Sequence, residues 1–477
     1  MFLRLVRHEW RLLRADATVL AIAVVFGAAI GYATFNGVRW VAFERAAQRQ
    51  AAEEEAQRYA DMQTQMIELE RTGKPVAAFG DPRNPTMFGS RFGPRYAILP
   101  PGPLSAVAIG QSDLLPSYFK VSTDARETIV AASEIENPHR LLAGRFDLAF
   151  VIIFLYPLLI LAVTYNMLSA EKEDGVLALA LSQPVSLWTL AASKAVTRIG
   201  LLIGVVVAFS LIALIVIGID PGASGVAVRL ALWVFVVAAY GAFWFALALL
   251  VAAFGRSSAT NATVLATVWL LLVVLLPSLI NLMATTLYPV PSRVEMIQAI
   301  RVASDEAANA GSQALGRYYE DHPELASGDA QQAMTDFNVL KVAVDDEVAR
   351  RARPVVARYE QQLAAQQSMV DRVRFLSPAV LMQDALDDVA GTGMGRHRHF
   401  LAQVDRYHAA WRGFIVPLIF QKASVTDAGQ APRFSYVEES AGAVVARVTA
   451  AALGLLLPAA GLAALGAQRL RRFSLVT

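Results

Sequence analysis

The side chains best suited to chemistry gather late in the chain. Asp384, Asp387 and Asp388 are followed by His397, His399 and His408, and carboxylates with imidazoles make a ligand set for a divalent metal. The spacing argues against one shared site. On a helix His397 and His399 point about 200° apart, while Asp384 and Asp388 share a face in the way of residues that meet water. Other catalytic signatures are missing. No G-x-x-x-x-G-K-[ST] loop is present to cradle nucleotide phosphates, and His8-Glu9 lacks the second histidine of H-E-x-x-H. No G-x-S-x-G nucleophile elbow occurs either. Gly391-Thr-Gly-Met-Gly395 superficially resembles a phosphate loop, but no strand precedes it and it reads as a turn between helices. The absence of cysteine excludes disulfides, thiolate zinc and cysteine nucleophiles. The expectation is a chain with no catalytic residue, metal or cofactor of its own.

Two further sets of residues stand out. Asn166 and Asn281 lie within long apolar stretches and Asn261 at the edge of one, where an amide needs a partner and is expected to face the interior of a helix bundle. The second set lies in the link 169–198. A charged knot, Glu171 to Asp174, ends at Gly175; a short apolar helix runs to Ser182, Pro184 breaks it, and an amphipathic helix leads to Lys194. A compact charged protrusion of this kind offers a lever to a partner.

The elements that hold these residues are membrane helices. Hydrophobic residues make up 56% of the 477 positions and charged ones only 17%, with mean hydropathy +0.45, a charge deficit that favours a membrane protein. Six stretches are long enough to cross the hydrocarbon: 17–35, 148–168, 199–219, 230–254, 262–287 and 448–467. None contains Asp, Glu, Lys or Arg, and helices are the economical way to satisfy their backbone. Pro157, Pro277 and Pro458 are expected to kink three of them. The first stretch exceeds the roughly 7–15 apolar residues of a signal peptide and is expected to remain as an anchor. A net charge of +2 gives no reason to expect nucleic acid.

Basic residues set the expected orientation. Arg4, Arg7, Arg11 and Arg14 precede span one; Lys172, Lys194 and Arg198 lie between spans two and three; Arg256 lies between spans four and five; Arg469, Arg471 and Arg472 follow span six. All fall on one side, which reads as the cytoplasm, with both termini there. Residues 1–16 form an expected interfacial helix with Leu3, Val6, Trp10 and Leu13 on its apolar face. Two insertions, 36–147 and 288–447, then lie outside the cytoplasm, with a coupling segment at 169–198 and a tail at 468–477. Glu44–Arg71 is expected to continue span one as a stalk helix. Lys74–Pro116 is rich in proline and demands extended or turning backbone, and Thr123–Arg145 returns to helical composition. In the second insertion helices are expected at Arg293–Tyr319, Ala330–Arg351, Val355–Phe375, Pro378–Val389 and Arg396–Phe414. The insertions are expected to pack on one another.

The E-x-E-x-G end of span two, the LALALSQPVS turn and the lysine before span three resemble the ABC-2 type permeases of ATP-binding-cassette exporters. The resemblance implies an all-α polytopic fold with six spans, in the inner (cytoplasmic) membrane. It further implies that Glu171, Glu173, Gly175, Leu179, Ser182, Pro184, Val185 and Lys194 form the coupling region that docks on a separate ATPase subunit, which would carry ATP and Mg. Two permeases, identical or related, would pair among membrane lipids, with an extracytoplasmic partner protein as a further expectation. The large insertions depart from the family pattern, and Trp411–Phe420 is the expected counterpart of its outer interfacial segment. Spans without fixed charge favour an amphipathic, lipid-like or peptidic cargo. Two alternatives remain: an ATP-driven protein that moves its outer domains without passing cargo, and a membrane-anchored receptor or enzyme with no ATPase.

Overall fold

The computed structural model describes residues 2–73, 76–131, 145–175, 182, 186–223, 225–323 and 336–471. Helix α1 (Phe2–Ala15) turns Arg4, Arg7, Arg11 and Arg14 to solvent and buries Glu9 and Leu13 against span three. Asp16 separates it from the next helix, its carboxylate accepting from Thr18 N at 2.8 Å as an N-cap. Span one is the first part of that helix, Ala17–Thr72, whose 56 residues cover about 84 Å. The stalk is therefore continuous with the span. Gly73 ends it in a left-handed conformation, donating to Leu69 O.

Among the described residues six helices are long and apolar enough to cross a membrane: Ala17–Thr72, Leu148–Glu173, Leu187–Val216, Val226–Ala252, Ser258–Leu287 and Ala441–Arg471, here spans one to six. Spans two and four form the centre, with 67% of their apolar windows buried against 17–28% for the others. Tyr156, Trp233, Tyr240 and Trp244 are fully buried there. The two central spans touch closely at Gly241, where an added Cβ would stand 2.2 Å from the Tyr156 hydroxyl. Pro157 cannot donate to the carbonyl of Ile153, four residues earlier. A π turn at Val151–Leu155 accommodates the proline, and the Tyr240 hydroxyl donates to the Ile153 carbonyl at 2.9 Å. A second π turn, Leu270–Leu275, precedes Pro277 in span five.

The two insertions make one domain. Strands β1 (Arg95–Ile98) and β2 (Tyr118–Val121) pair antiparallel with Arg95 opposite Val121. Their Ala97, Phe119 and Val121 share a core with Met62 and Met66 of the stalk. The second insertion adds α2 (Arg293–Asn309), α3 (Gly311–Asp321), α4 (Phe337–Val373), α5 (Pro378–Ala390) and α6 (Met394–Phe420). Leu315, Val342 and Phe400 bring three of these helices into that same core.

Some boundaries differ from expectation. Arg293–Tyr319 divides at Ala310 into α2 and α3. Residues 330–335 lie outside the described residues, and the remainder of the next two expected helices forms the single helix α4. Pro354 sits inside it, and Arg350, whose carbonyl would have met the missing N–H, is exposed to water. Of Thr123–Arg145, Arg126–Ala131 is helical and 132–144 lies outside the described residues. Trp411–Phe420 is the last part of the helix α6 and not a separate element. Trp411 and Ile415 are fully buried in the domain core, and the Trp411 indole donates to Gly89 O at 3.1 Å while stacking on Phe88.

Candidate functional site

The start of the link after span two, residues 169–175, is held against its own bundle. Span two continues through a turn at 165–168 into Ser169–Glu173, followed by Gly175 with a left-handed φ of 71°. Glu171 pairs with Lys194 of span three at 2.6 Å, and the Lys194 ammonium also donates to Met167 O at 3.2 Å. Glu173 accepts from the backbone N–H of Ser258 at 2.7 Å and from its hydroxyl at 2.9 Å. Ser258 opens span five, so this carboxylate sits on the positive end of a helix. Lys172 donates to Gly255 O at 3.0 Å in the turn after span four. The end of span two is thereby fastened to spans three and five and to the turn between spans four and five.

The other sequence-expected residues distribute around this joint. Asn261 is buried and donates to Tyr165 O at 3.3 Å and weakly to Ser169 Oγ at 3.5 Å. Asn166 is half-buried in the turn, its carbonyl accepting from Ala170 N. Ser182 is exposed, and Leu179, Pro184 and Val185 lie outside the described residues. Asn281 corrects the expectation of an inward amide. It is exposed on span five, which has only 17% of its window buried and stands at the edge of the bundle. Sequence reasoning missed Glu9, which meets Arg198 at 2.9 Å with both side chains largely buried and pins α1 to span three. The available signal was a lone acid among four helix arginines.

At the opposite end α5 enters the bundle itself. Leu381, Met382, Leu386 and Val389 are almost wholly buried in the core that spans two, four and six share. Ser377 caps the helix start, accepting from Val380 N at 3.3 Å and donating to Leu272 O in the π turn of span five at 3.1 Å. At the helix end Arg229, the buried first-turn arginine of span four, donates to the carbonyls of Asp388 and Val389 at 3.0 and 2.8 Å. A cation there meets both the unpaired carbonyls and the negative end of the helix dipole. Arg447 of span six pairs with Asp388 at 2.9 Å and with Glu439 at 2.8 Å. Gly391 ends α5 with a left-handed φ of 78°, donating to Asp387 O at 2.9 Å, so the glycine-rich run is a helix C-cap.

The candidate metal residues part company. Asp384 meets Arg374 at 3.2 Å, Asp387 accepts from Gln383 at 2.8 Å, and Asp388 takes Arg447. His399 contacts Val437 O and His408 contacts Asp124 O. His397 is buried, which pushes its imidazole down to about 4. Among the described residues no group of three or more His, Asp or Glu side chains stands together to hold a metal ion.

Residues 293–437 match a family model described as a domain of unknown function, DUF3526. The match covers α2 to α6, including the helix that enters the bundle, and stops just before span six. No curated protein matches the chain.

Proposed function

We propose that the chain is the permease subunit of an ABC-2 type exporter, in which a separate subunit binds Mg and hydrolyses ATP. Support comes from the joint at Glu171 and Glu173. A force applied to this short segment acts at once on the ends of spans two, three and five, because each carboxylate bridges to a different span. The basic residues support an orientation with this joint in the cytoplasm. Arg469 lies over the Phe254 ring at 4.8 Å and Arg471 over Trp188 at 5.8 Å, gathering the end of span six with the turn after span four and the start of span three. The membrane is then the inner (cytoplasmic) membrane, both termini are cytoplasmic, and the large domain is extracytoplasmic. Two permeases, identical or related, pair to form the path, and the cargo is amphipathic, lipid-like or peptidic.

Charge reversal at Glu171 and Glu173 together tests the coupling role. It is expected to lower substrate-stimulated ATP turnover of the complex, and unchanged turnover would refute that role.

The insertion of α5 favours a second reading, in which ATP cycles move the domain without passing cargo. Ser377, Arg229 and Arg447 tie α5 to spans five, four and six, so a rearranged bundle drags the domain with it. Proteoliposomes separate the two: ATP turnover with no movement of cargo supports the second.

A further inference from the structure

Just past Phe35, the last residue of the apolar stretch of span one, the stalk borders two adjoining cavities. The nearer, about 370 Å³, is lined by Arg39 and Arg145. The farther, about 480 Å³, is lined by Glu44, Tyr96 and Tyr118, and Trp40 and Phe43 face both. Cavities of this size accept small molecules or headgroups.

Charged side chains line both. Arg39 is exposed, lies 5.9 Å from the Phe35 ring, and pairs with no carboxylate among the described residues. Arg145 stacks on Trp40 at 3.8 Å and touches Asp113 at 3.2 Å. Two guanidiniums at the end of a span suit a phosphate. The farther cavity is lined by Glu44 and Asp124, the latter paired with Lys341, and by the exposed Lys120. Glu44 is only 8% exposed, its Oε1 accepts a long bond of 3.4 Å from Gln48, and its Oε2 has no hydrogen-bond partner among the described residues. A carboxylate oxygen left so is costly. Burial pushes this carboxyl up to about 7, with Arg396 and Arg45 pulling the other way. The Tyr96 and Tyr118 rings, edge to face at 5.8 Å, supply aromatic walls that attract an ammonium.

An apolar seam leads to the nearer cavity. The rings of Phe154, Phe150, Phe146 and Tyr32 follow one another at 4.7, 5.1 and 5.7 Å, from span two to span one. Phe146 lines the cavity where the seam ends.

We infer that the two cavities form one site for a zwitterionic amphiphile carrying a phosphate and a primary amine. Arg39 and Arg145 take the phosphate, Glu44 takes the amine, and the tail lies along the seam. Arg39 and Glu44 are about 7.5 Å apart along the helix axis and about 140° apart around it, with Trp40 and Phe43, which face both cavities, between them. Calling the occupant cargo rests on the transport reading; its binding does not.

The test uses the full-length protein in detergent, with calorimetric titration of dihexanoyl phosphatidylethanolamine, dihexanoyl phosphatidylglycerol and free phosphoethanolamine. The wild type is expected to prefer the amine lipid by about tenfold, the scale of one charge-assisted hydrogen bond, and Glu44→Gln to abolish that preference. Arg39→Gln, at an exposed position that leaves folding intact, weakens both lipids. Free phosphoethanolamine binds more weakly than its lipid. Equal affinity of the two lipids for the wild type, a preference that survives Glu44→Gln, no weakening in Arg39→Gln, or headgroup binding as tight as the lipid overturns the site. ATPase co-purification on the same samples is independent: its loss strikes the exporter reading, while lost lipid binding with the ATPase retained strikes only this site.

Discussion

At one end of the bundle the link after span two is held by a handful of polar contacts, and Lys172, Glu173 and Asp174 are exposed. At the other end α5 is sunk among the spans and fixed by apolar packing, by two carbonyls on Arg229 and by the Asp388–Arg447 pair. The first joint is accessible at Glu173, where exposed charge contacts contribute little, while Lys194 beneath it is buried. The second is costly to break because Arg229 and the apolar face of α5 are buried. A molecule driven from outside its own chain needs this asymmetry: a contact surface where force arrives, and a stiff connection where it is delivered.

The largest expected effect lies at the stiff end. Arg229→Met leaves the two terminal carbonyls of α5 without a charged donor and is expected to cost about 4 kcal/mol, seen as a lower Tm in detergent. A shift of a degree or less would dissolve the contrast between the two ends.

Acid should weaken the same end. The folded chain holds His397 near 4 while an unfolded histidine titrates near 6.5. Stability is therefore full above about 6.5 and falls as pH drops to about 4, where the unfolded state takes up a proton that the folded one refuses, by up to about 3 kcal/mol. His397→Leu should flatten that part of a thermal-unfolding pH profile; an unchanged slope would assign it to other groups.

Between the two ends stand spans two and four. Gly241→Ala pushes a methyl group onto the Tyr156 hydroxyl and is expected to cost about 2 kcal/mol, part of which Tyr156→Phe restores in the double variant. Strict additivity in that cycle would mean that the two spans do not meet there.

The smallest effect on stability belongs to the accessible joint. Glu173→Gln is expected to leave Tm nearly unchanged even where ATP turnover falls, because the contacts of this exposed carboxylate are screened by water. A large Tm loss would make Glu173 a structural residue.

The spans were legible because about 20 uncharged residues have few soluble explanations. The continuous stalk followed from a stretch without Pro or Gly between Glu44 and Arg71. The entry of α5 into the bundle was not legible. Asp384 and Asp388 read as a pair that faces water, and only the folded chain brings Arg374 and Arg447 to them and Gln383 to Asp387. Asn281 was misjudged for a related reason. A polar residue within a span was taken to face inward, yet span five lies at the edge of the bundle and leaves it exposed. Of the coupling region, the residue types were visible, but their partners were not: nothing in the sequence links Glu173 to Ser258, 85 positions away.

The central claim is that another polypeptide burns the fuel and that the segment Glu171–Gly175 receives its stroke. Purification of the full-length chain from its native membranes in mild detergent, with and without residues 171–175, tests this most directly. The predicted result is a stoichiometric nucleotide-hydrolysing subunit with the intact chain and its loss from the deletion variant. An intact, folded chain that carries no such subunit, or a deletion variant that keeps it in full, would contradict the account.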